Sequence, residues 1–272
     1  MPGLPEITDR RALALHRARA ARLPVRFLHE EAALEIQERL AEVNREFRAP
    51  VLIGHVTPPI AALFPDSRRI DDTPALALDR EAHDLALHCF GLHWADDPVG
   101  QIVQSRLALV PDGMFLGVTF GGATLHELRA SLAEAETRIS GGLSPRVLPM
   151  ADIASLGGLL QRAGLALPVA DSVSMTVRYP DIAKLAKDLR GMGETNALAT
   201  RRTSLPSREI FRETERIYRR NFSDDGHLVA TFEMVFLTGW APSANQQRPL
   251  RPGTADIRLA EALGVTESRL KR

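Results

Sequence analysis

The side chains with the most chemical potential crowd into one stretch, Leu87 to Asp97, which holds His88, Cys89, His93, Trp94, Asp96 and Asp97. Imidazole, thiol and carboxylate groups are the usual acids, bases and nucleophiles. Neighbours on a strand point to opposite faces, so His88 and Cys89 read as a packed histidine and a small buried thiol rather than a catalytic pair. His93-Trp94, just past the strand, reads on its own as an aromatic lid on the following helix. The eight histidines show no His-Glu-x-x-His spacing, and no Gly-x-Ser-x-Gly elbow occurs. A metal site is not expected. Cys89 is the only cysteine, which excludes an intrachain disulfide and points to a reducing, cytoplasmic setting. There the sequon Asn221-Phe222-Ser223 would go unused.

The elements that must position these groups follow from periodicity. Apolar residues at three- and four-residue steps (Leu28, Ala32, Ile36, Leu40, Val43, Phe47) predict a helix over 27–47 covering the first edge of a sheet. Residues 51–56 predict a strand, 59–64 a short helix, and 85–90 the next strand. A helix over 98–109, a Pro111-Asp112-Gly113 turn and a strand over 114–120 have parallel-crossover spacing. Thr124 and Glu127 form a capping-box pattern opening a helix to about residue 139, ended by Gly141-Gly142. Helices over 153–163, 181–190 and 207–221 and strands over 172–179 and 228–240 complete the pattern, with a last helix at 255–263. Alternating strands and helices predict an α/β sheet with helices on both faces and a ligand at the carboxyl ends of its strands.

Charge narrows the partners. The 34 basic and 34 acidic residues give a net charge of +0, so no overall field favours nucleic acid. No apolar run reaches the ~20 residues needed to span a bilayer. Arg10 to Arg22 is arginine-rich and nearly acid-free, the composition of a transit peptide or of a basic amphipathic helix; its continuation into a second helical pattern favours an ordered helix, for which peripheral membrane contact is one option. Arg201-Arg202 and Arg219-Arg220 read as solvated surface.

Several strings are more specific than any single residue: Leu92-His93-Trp94, Phe120-Gly121-Gly122-Ala123-Thr124-Leu125-His126-Glu127-Leu128-Arg129, Gly142-Leu143-Ser144-Pro145 and Gly191-Met192-Gly193-Glu194-Thr195-Asn196. Together they closely resemble the respiratory complex I assembly factors with a class I S-adenosylmethionine (SAM) methyltransferase fold. The malonyl-acyl carrier protein methyltransferases are more distantly similar. The resemblance implies a Rossmann-like sheet, a SAM cofactor and a protein substrate or client, with a complex I subunit as one candidate. It also implies methylation or arginine hydroxylation as activities, with carrier-protein ester methylation less well matched.

Against that pattern the cofactor half reads as eroded. The family has an acidic residue followed by alternate glycines after its first strand; here Leu52 takes the acidic position, Gly54 keeps the first glycine, and Val56 and Pro58 replace the others. Glycine lets the backbone approach a ligand, and proline removes a donor. Gly54 also reads as an ordinary strand-end glycine. The carboxylate for the ribose has only Asp71 and Asp72 as candidates, of which Asp71 is taken. Between the first and fourth strands of such a sheet only Thr57 to Asp84 remains, so at least one strand and helix are missing.

The resemblance places Gly54, Asp71, Leu92, His93 and Trp94 on the cofactor, and Phe120, Gly121, Gly122, Arg129, Tyr179, Glu194 and Asn196 on a substrate or partner. Simpler roles compete: a strand-to-helix turn for Gly121-Gly122, and a loop built by Gly191 and Gly193 for Glu194 and Asn196. The expected organisation is a helical extension over 1–50, a methyltransferase-like domain over 51–242 with a substrate-covering insertion around 181–221, and a tail over 243–272. The expected function is that of a SAM-site-eroded assembly factor acting through protein binding. The alternative is an active SAM-dependent methyltransferase or arginine-modifying enzyme.

Overall fold

A computed structural model describes residues 6–204 and 207–246. Its centre is one sheet. Strand β1 (Pro50–Gly54) lies between β2 (Arg68–Ile70) and β3 (His83–Cys89), β3 pairs with β4 (Leu109–Phe120), and these four run parallel. The long strand β7 (His227–Trp240) joins β4 antiparallel and carries β5 (Ala166–Tyr179) on its other side, with the short β6 (Ser223–Asp224) at its start. The order is β2-β1-β3-β4-β7-β5.

Central strands are apolar because both faces are covered. On one face Leu52, Leu87, Leu116 and Phe236 pack with Leu28 and Ile36 of α2 (Phe27–Glu42), Leu185 of α7 (Ile182–Met192) and Tyr218 of α8 (Arg208–Asn221). On the other, Val51, Ile53, Ala86 and Phe115 meet Ile102 of α4 (Pro98–Ala108) and Leu160 of α6 (Ile153–Arg162). Of the remaining helices, α1 (Arg10–Ala20) packs on α7, α3 (Pro58–Ala61) on α2, and α5 (His126–Ser140) on α8 and β7. No described helix is long and apolar enough to cross a membrane.

Four expectations are corrected. The helix over 27–47 stops at Glu42, where Val43 turns extended. It crosses the sheet face rather than capping its edge, because Arg39 stacks 3.9 Å over the Phe236 ring and pairs with Asp171 on β5. The turn at 111–113 is a kink inside β4, with Asp112 at φ 63°. The capping box at Thr124 and Glu127 does not form: Leu125, at φ 53°, is the residue before α5, and the Glu127 carboxylate accepts bonds from Thr231 instead. Thr124 bonds to the β7 backbone at Glu233. The helix expected at 255–263 lies outside the described residues.

Between β1 and β3 the chain has room for α3 and β2 only, and residues 71–82 return to β3 without a helix. The shortening expected from crossover length is thus present. Gly54 ends β1 at φ +92°, and a Cβ there would lie 2.6 Å from the Cys89 carbonyl oxygen. That contact lets His55 N donate to the same oxygen at 2.8 Å. Gly54→Ala is expected to cost about 3 kcal/mol, from left-handed strain plus overlap. Urea unfolding measures it, and an unchanged midpoint would show that β1 moves freely off β3.

Candidate functional site

The loops after β1, β2 and β3 meet at the end of the sheet where this class of fold binds ligands. Asp72 follows β2 and is turned inward, its side chain only 5% exposed, whereas Asp71 faces solvent. Phe90 follows β3 at φ 42°, and Arg17 bonds its carbonyl oxygen at 3.0 Å. Gly91 lets the chains close up, since a Cβ there would sit 2.7 Å from His88 and 2.8 Å from the Asp72 carboxylate. His88 is fully buried against Gln101, Nε2 to Oε1 2.7 Å, and Gln101 Nε2 donates to Asp72 O at 3.0 Å. Burial pulls the His88 pKa down to about 4, so the ring is neutral. Cys89 points the other way into the core, where burial raises its thiol pKa.

Helix α1 closes this cleft. Asp9 caps it by accepting from Ala12 N, and its apolar side sets Ala12 and Leu13 against Trp94, Leu148 and Leu198. The segment before it is stitched down by Thr8 Oγ1 to Trp94 O at 2.8 Å and by the Asp96 carboxylate, which accepts from Ile7 N and Thr8 N. Arg10 and Arg17, two turns apart on one side of α1, both reach Asp72, at 3.3 and 2.8 Å. Burial alone would raise the Asp72 pKa, but the Arg17 charge and hydrogen bond outweigh it, and the carboxyl is held below 3.8. The Arg17 guanidinium therefore spans from Asp72 to Phe90 O across the cleft. It separates a space by Asp71, Asp72 and Pro74 from another by His29, His55 and Thr57.

A second feature lies beyond β4. Trp94, Phe120 and Phe232, with Leu128, Met150 and Met192, wall a pocket of about 90 Å³ between α5, α7 and the 141–152 loop. Glu194 lines it too, with a side chain 7% exposed. Its Oε2 accepts from Trp94 Nε1 at 2.8 Å and pairs with His93 Nε2 at 3.0 Å; its Oε1 has no partner among the described residues. Burial opposes ionisation of Glu194, but His93 and Arg17 more than offset it, so the carboxylate stays charged. Arg146, also on the pocket wall, is already neutralised by buried Glu136. Among the described residues no group of three His, Cys, Asp or Glu side chains could hold a metal ion.

The residues picked from sequence divide between these places. His93, Trp94, Phe120 and Glu194 come together at the pocket, with Thr119 holding His93 Nδ1 at 3.1 Å. Leu92 turns into the opposite core face. Gly121 lies under Glu233 and Val235, where a Cβ would meet Glu233 at 2.6 Å. Arg129 ties the Gly122 and Leu148 carbonyls together, and Asn196 joins Pro145 O to Leu198 N. Tyr179 is packed in the core between α7 and α8, away from the pocket lining. Sequence reading missed Arg17, His29 and His55, and of its two acidic candidates it took the exposed Asp71 over the buried Asp72. The available signal was Arg10, Leu13 and Arg17 at helical spacing, an arginine pair flanking an apolar stripe.

No family model matches the chain. Among curated proteins, the arginine-hydroxylase NDUFAF5, mitochondrial, of Danio rerio is 30% identical over 262 residues, which are 86% of this chain and 81% of that protein. The chain belongs to the NDUFAF5 arginine-hydroxylase family. The human NDUFAF5 protein is 37% identical over 70% of this chain, which spans only 55% of the human protein's length. A malonyl-[acyl-carrier protein] O-methyltransferase of Xylella fastidiosa is 30% identical over 70% of the chain and 61% of that enzyme. Among solved structures, a SAM-dependent methyltransferase of Thermotoga maritima is 12% identical, covering 85% of this chain and 99% of that one with a TM-score of 0.46. The resemblance carried by the Phe120 to Arg129 and Gly191 to Asn196 strings is borne out. The sheet has the α/β arrangement with helices on both faces that the resemblance implies, with a short path between β1 and β3.

The groups at the place where the resemblance puts SAM are already engaged within the chain. Gly54 is used to pass the Cys89 carbonyl, Pro58 opens α3 where a glycine loop would continue, and the inward carboxylate is already bound by two arginines. Removing Arg17 would strand a buried charge, so Arg17→Ala is expected to destabilise the protein by about 3 kcal/mol. The pH dependence follows from the depressed pKa of Asp72: its contribution is present above 3.8 and is lost as pH falls below that towards the folded-state value. Urea midpoints should drop between about pH 5 and pH 2 in the wild type and drop less in Asp72→Asn; equal slopes would count against this linkage.

Proposed function

We propose that this chain acts as an assembly factor that binds a cationic side chain of a client protein, with arginine the best match, and does so without SAM. The client class is a subunit of respiratory complex I. The observation that carries this reading is Glu194: an ionised carboxylate in an aromatic-walled pocket, with one oxygen unpartnered. A buried charge lacking its full set of partners is costly, and a guanidinium supplies both charge and donors. Trp94, Phe120 and Phe232 add faces on which a planar cation is favourable. The name of the relatives, arginine-hydroxylase, agrees with an arginine as the group recognised.

Independence from SAM rests on the Arg17 bridge across the cleft. His93 and Trp94, assigned by resemblance to the cofactor, serve here to hold Glu194 in place. They position the carboxylate; they do not react.

Two measurements test this function. Calorimetry with SAM and S-adenosylhomocysteine should show no heat, whereas saturable binding would restore the alternative of a SAM-dependent methyltransferase or arginine-modifying enzyme. Peptides carrying a single arginine should bind more tightly than the same peptides with neutral citrulline. Glu194→Gln should weaken the arginine peptide about thirtyfold or more. Equal affinity for both peptides would sink the cation pocket.

A further inference from the structure

We propose that the recess between the end of α1, the start of α2 and the loop after β1 binds a small organic carboxylate, held by His29, Thr57 and Arg26. The space measures about 320 Å³. A dry cavity of roughly 150 Å³ takes a benzene ring, so this one suits a molecule of about a dozen non-hydrogen atoms. The Arg17 guanidinium divides it from the space beside Asp71 and Asp72. That division leaves room for a compact ligand but not for one that runs across the end of the sheet.

The recess carries polar groups that the fold itself does not use. His29 follows Leu28 on the buried side of α2 and is only 1% exposed. Its ring meets Phe90 edge-on at 5.0 Å and His55 at 5.4 Å. Packing of this kind needs only an aromatic ring, which a phenylalanine would supply without polar atoms. Yet both ring nitrogens of His29 and the Thr57 hydroxyl are buried with no hydrogen-bond partner among the described residues. Buried polar groups nearly always have partners, because one left alone has lost its hydration for nothing. Three such atoms belong to residues on the wall of one recess, and a bound molecule would complete them.

The chemistry of that molecule follows from what the wall offers. Burial pulls the His29 pKa down to about 4, so the ring is neutral and has one donor and one acceptor nitrogen. The Thr57 hydroxyl is a second donor, and Arg26, exposed at the rim, adds a full positive charge. No carboxylate lines the recess. The two whose charge reaches His29 or His55 are engaged elsewhere, Glu194 by His93 and Trp94 and Asp72 by Arg10 and Arg17. An ionised carboxylate accepts hydrogen bonds only and is held best by charged donors, which matches this set. Ala20, Val25, Val56 and Met192 give the rest of the wall an apolar character that suits a hydrocarbon body. A phosphate dianion fits less well, because Arg17 is already balanced by Asp72 and Arg26 alone is left to oppose it. The recess shares only Met192 with the lining of the Glu194 pocket, so the two sites stand or fall separately.

Calorimetry of the full chain with 3-phenylpropionate, matched against the uncharged 3-phenylpropionamide, tests this. Saturable binding of the acid, about tenfold or more tighter than that of the amide, is expected. Equal affinity for the two, or no heat from either, overturns the proposal, as does inorganic phosphate binding as tightly as the acid. His29→Phe keeps the ring packing and Thr57→Val keeps the side-chain shape, and each should weaken the acid about tenfold or more. If His29→Phe misfolds, Thr57→Val and the exposed Arg26→Gln decide the matter, and unchanged affinity in both overturns the assignment. Displacement of the acid by SAM would make the recess part of a cofactor site and would also overturn it.

Discussion

A buried carboxylate organises one end of this molecule. Asp72 sits where three parallel strands end, too enclosed to be left without a countercharge, and α1 supplies two. Once α1 is held there, its apolar side covers Trp94, its start pairs with residues 197–199, and the loops after β3 and α7 are fixed against each other. The geometry around Glu194 is inherited from that closure, since Trp94 both packs under α1 and donates to Glu194. An ion pair of this kind adds little net stability over an apolar core, but it specifies one arrangement of the pieces.

The same carboxylate shapes the end of the sheet where this class of fold meets a ligand. In a dinucleotide-type sheet an inward acid after the second strand meets ribose hydroxyls. Here an arginine of the same chain meets it, and the shortened path from β1 to β3 leaves Pro58 beside it. The half of the sheet formed by β4, β7 and β5 is long; β7 is buried between β4 and β5, and β5 leaves one face to solvent at the sheet edge.

Most of the architecture was legible because its elements obey simple periodicities. The strands at 85–90 and 228–240 and the helices at 153–163 and 207–221 came within a few residues of β3, β7, α6 and α8. Failures occurred where a tertiary contact outcompeted a local pattern. Thr124 and Glu127 have the spacing of a cap, yet β7 offers both better-placed partners. Val43 and Phe47 continue the helical spacing, yet the chain has to turn into β1. At the site, family strings pointed to His93 and Trp94 for a cofactor and to Phe120 and Glu194 for a substrate, and that the four meet at one place was not legible. The choice between Asp71 and Asp72 depends on a single residue of register, which composition and spacing do not encode. Arg17 was invisible for another reason: arginine is the ordinary basic residue of this chain, so none stands out until its partner is known.

The stitching of the first helix has a kinetic meaning. Asp9 N bonds Ala197 O, and the Asp9 carboxylate pairs with Arg201, so contacts from the beginning of the described chain are made only when residues nearly two hundred positions later are in place. Loop-closure entropy makes such pairings late events in folding. During synthesis α1 emerges long before the segment that anchors it, and Asp72 spends that interval without its full complement of partners. That anchor still precedes β7, which fills the place between β4 and β5, so neither the closure by α1 nor the sheet is complete until nearly the whole described chain has been made.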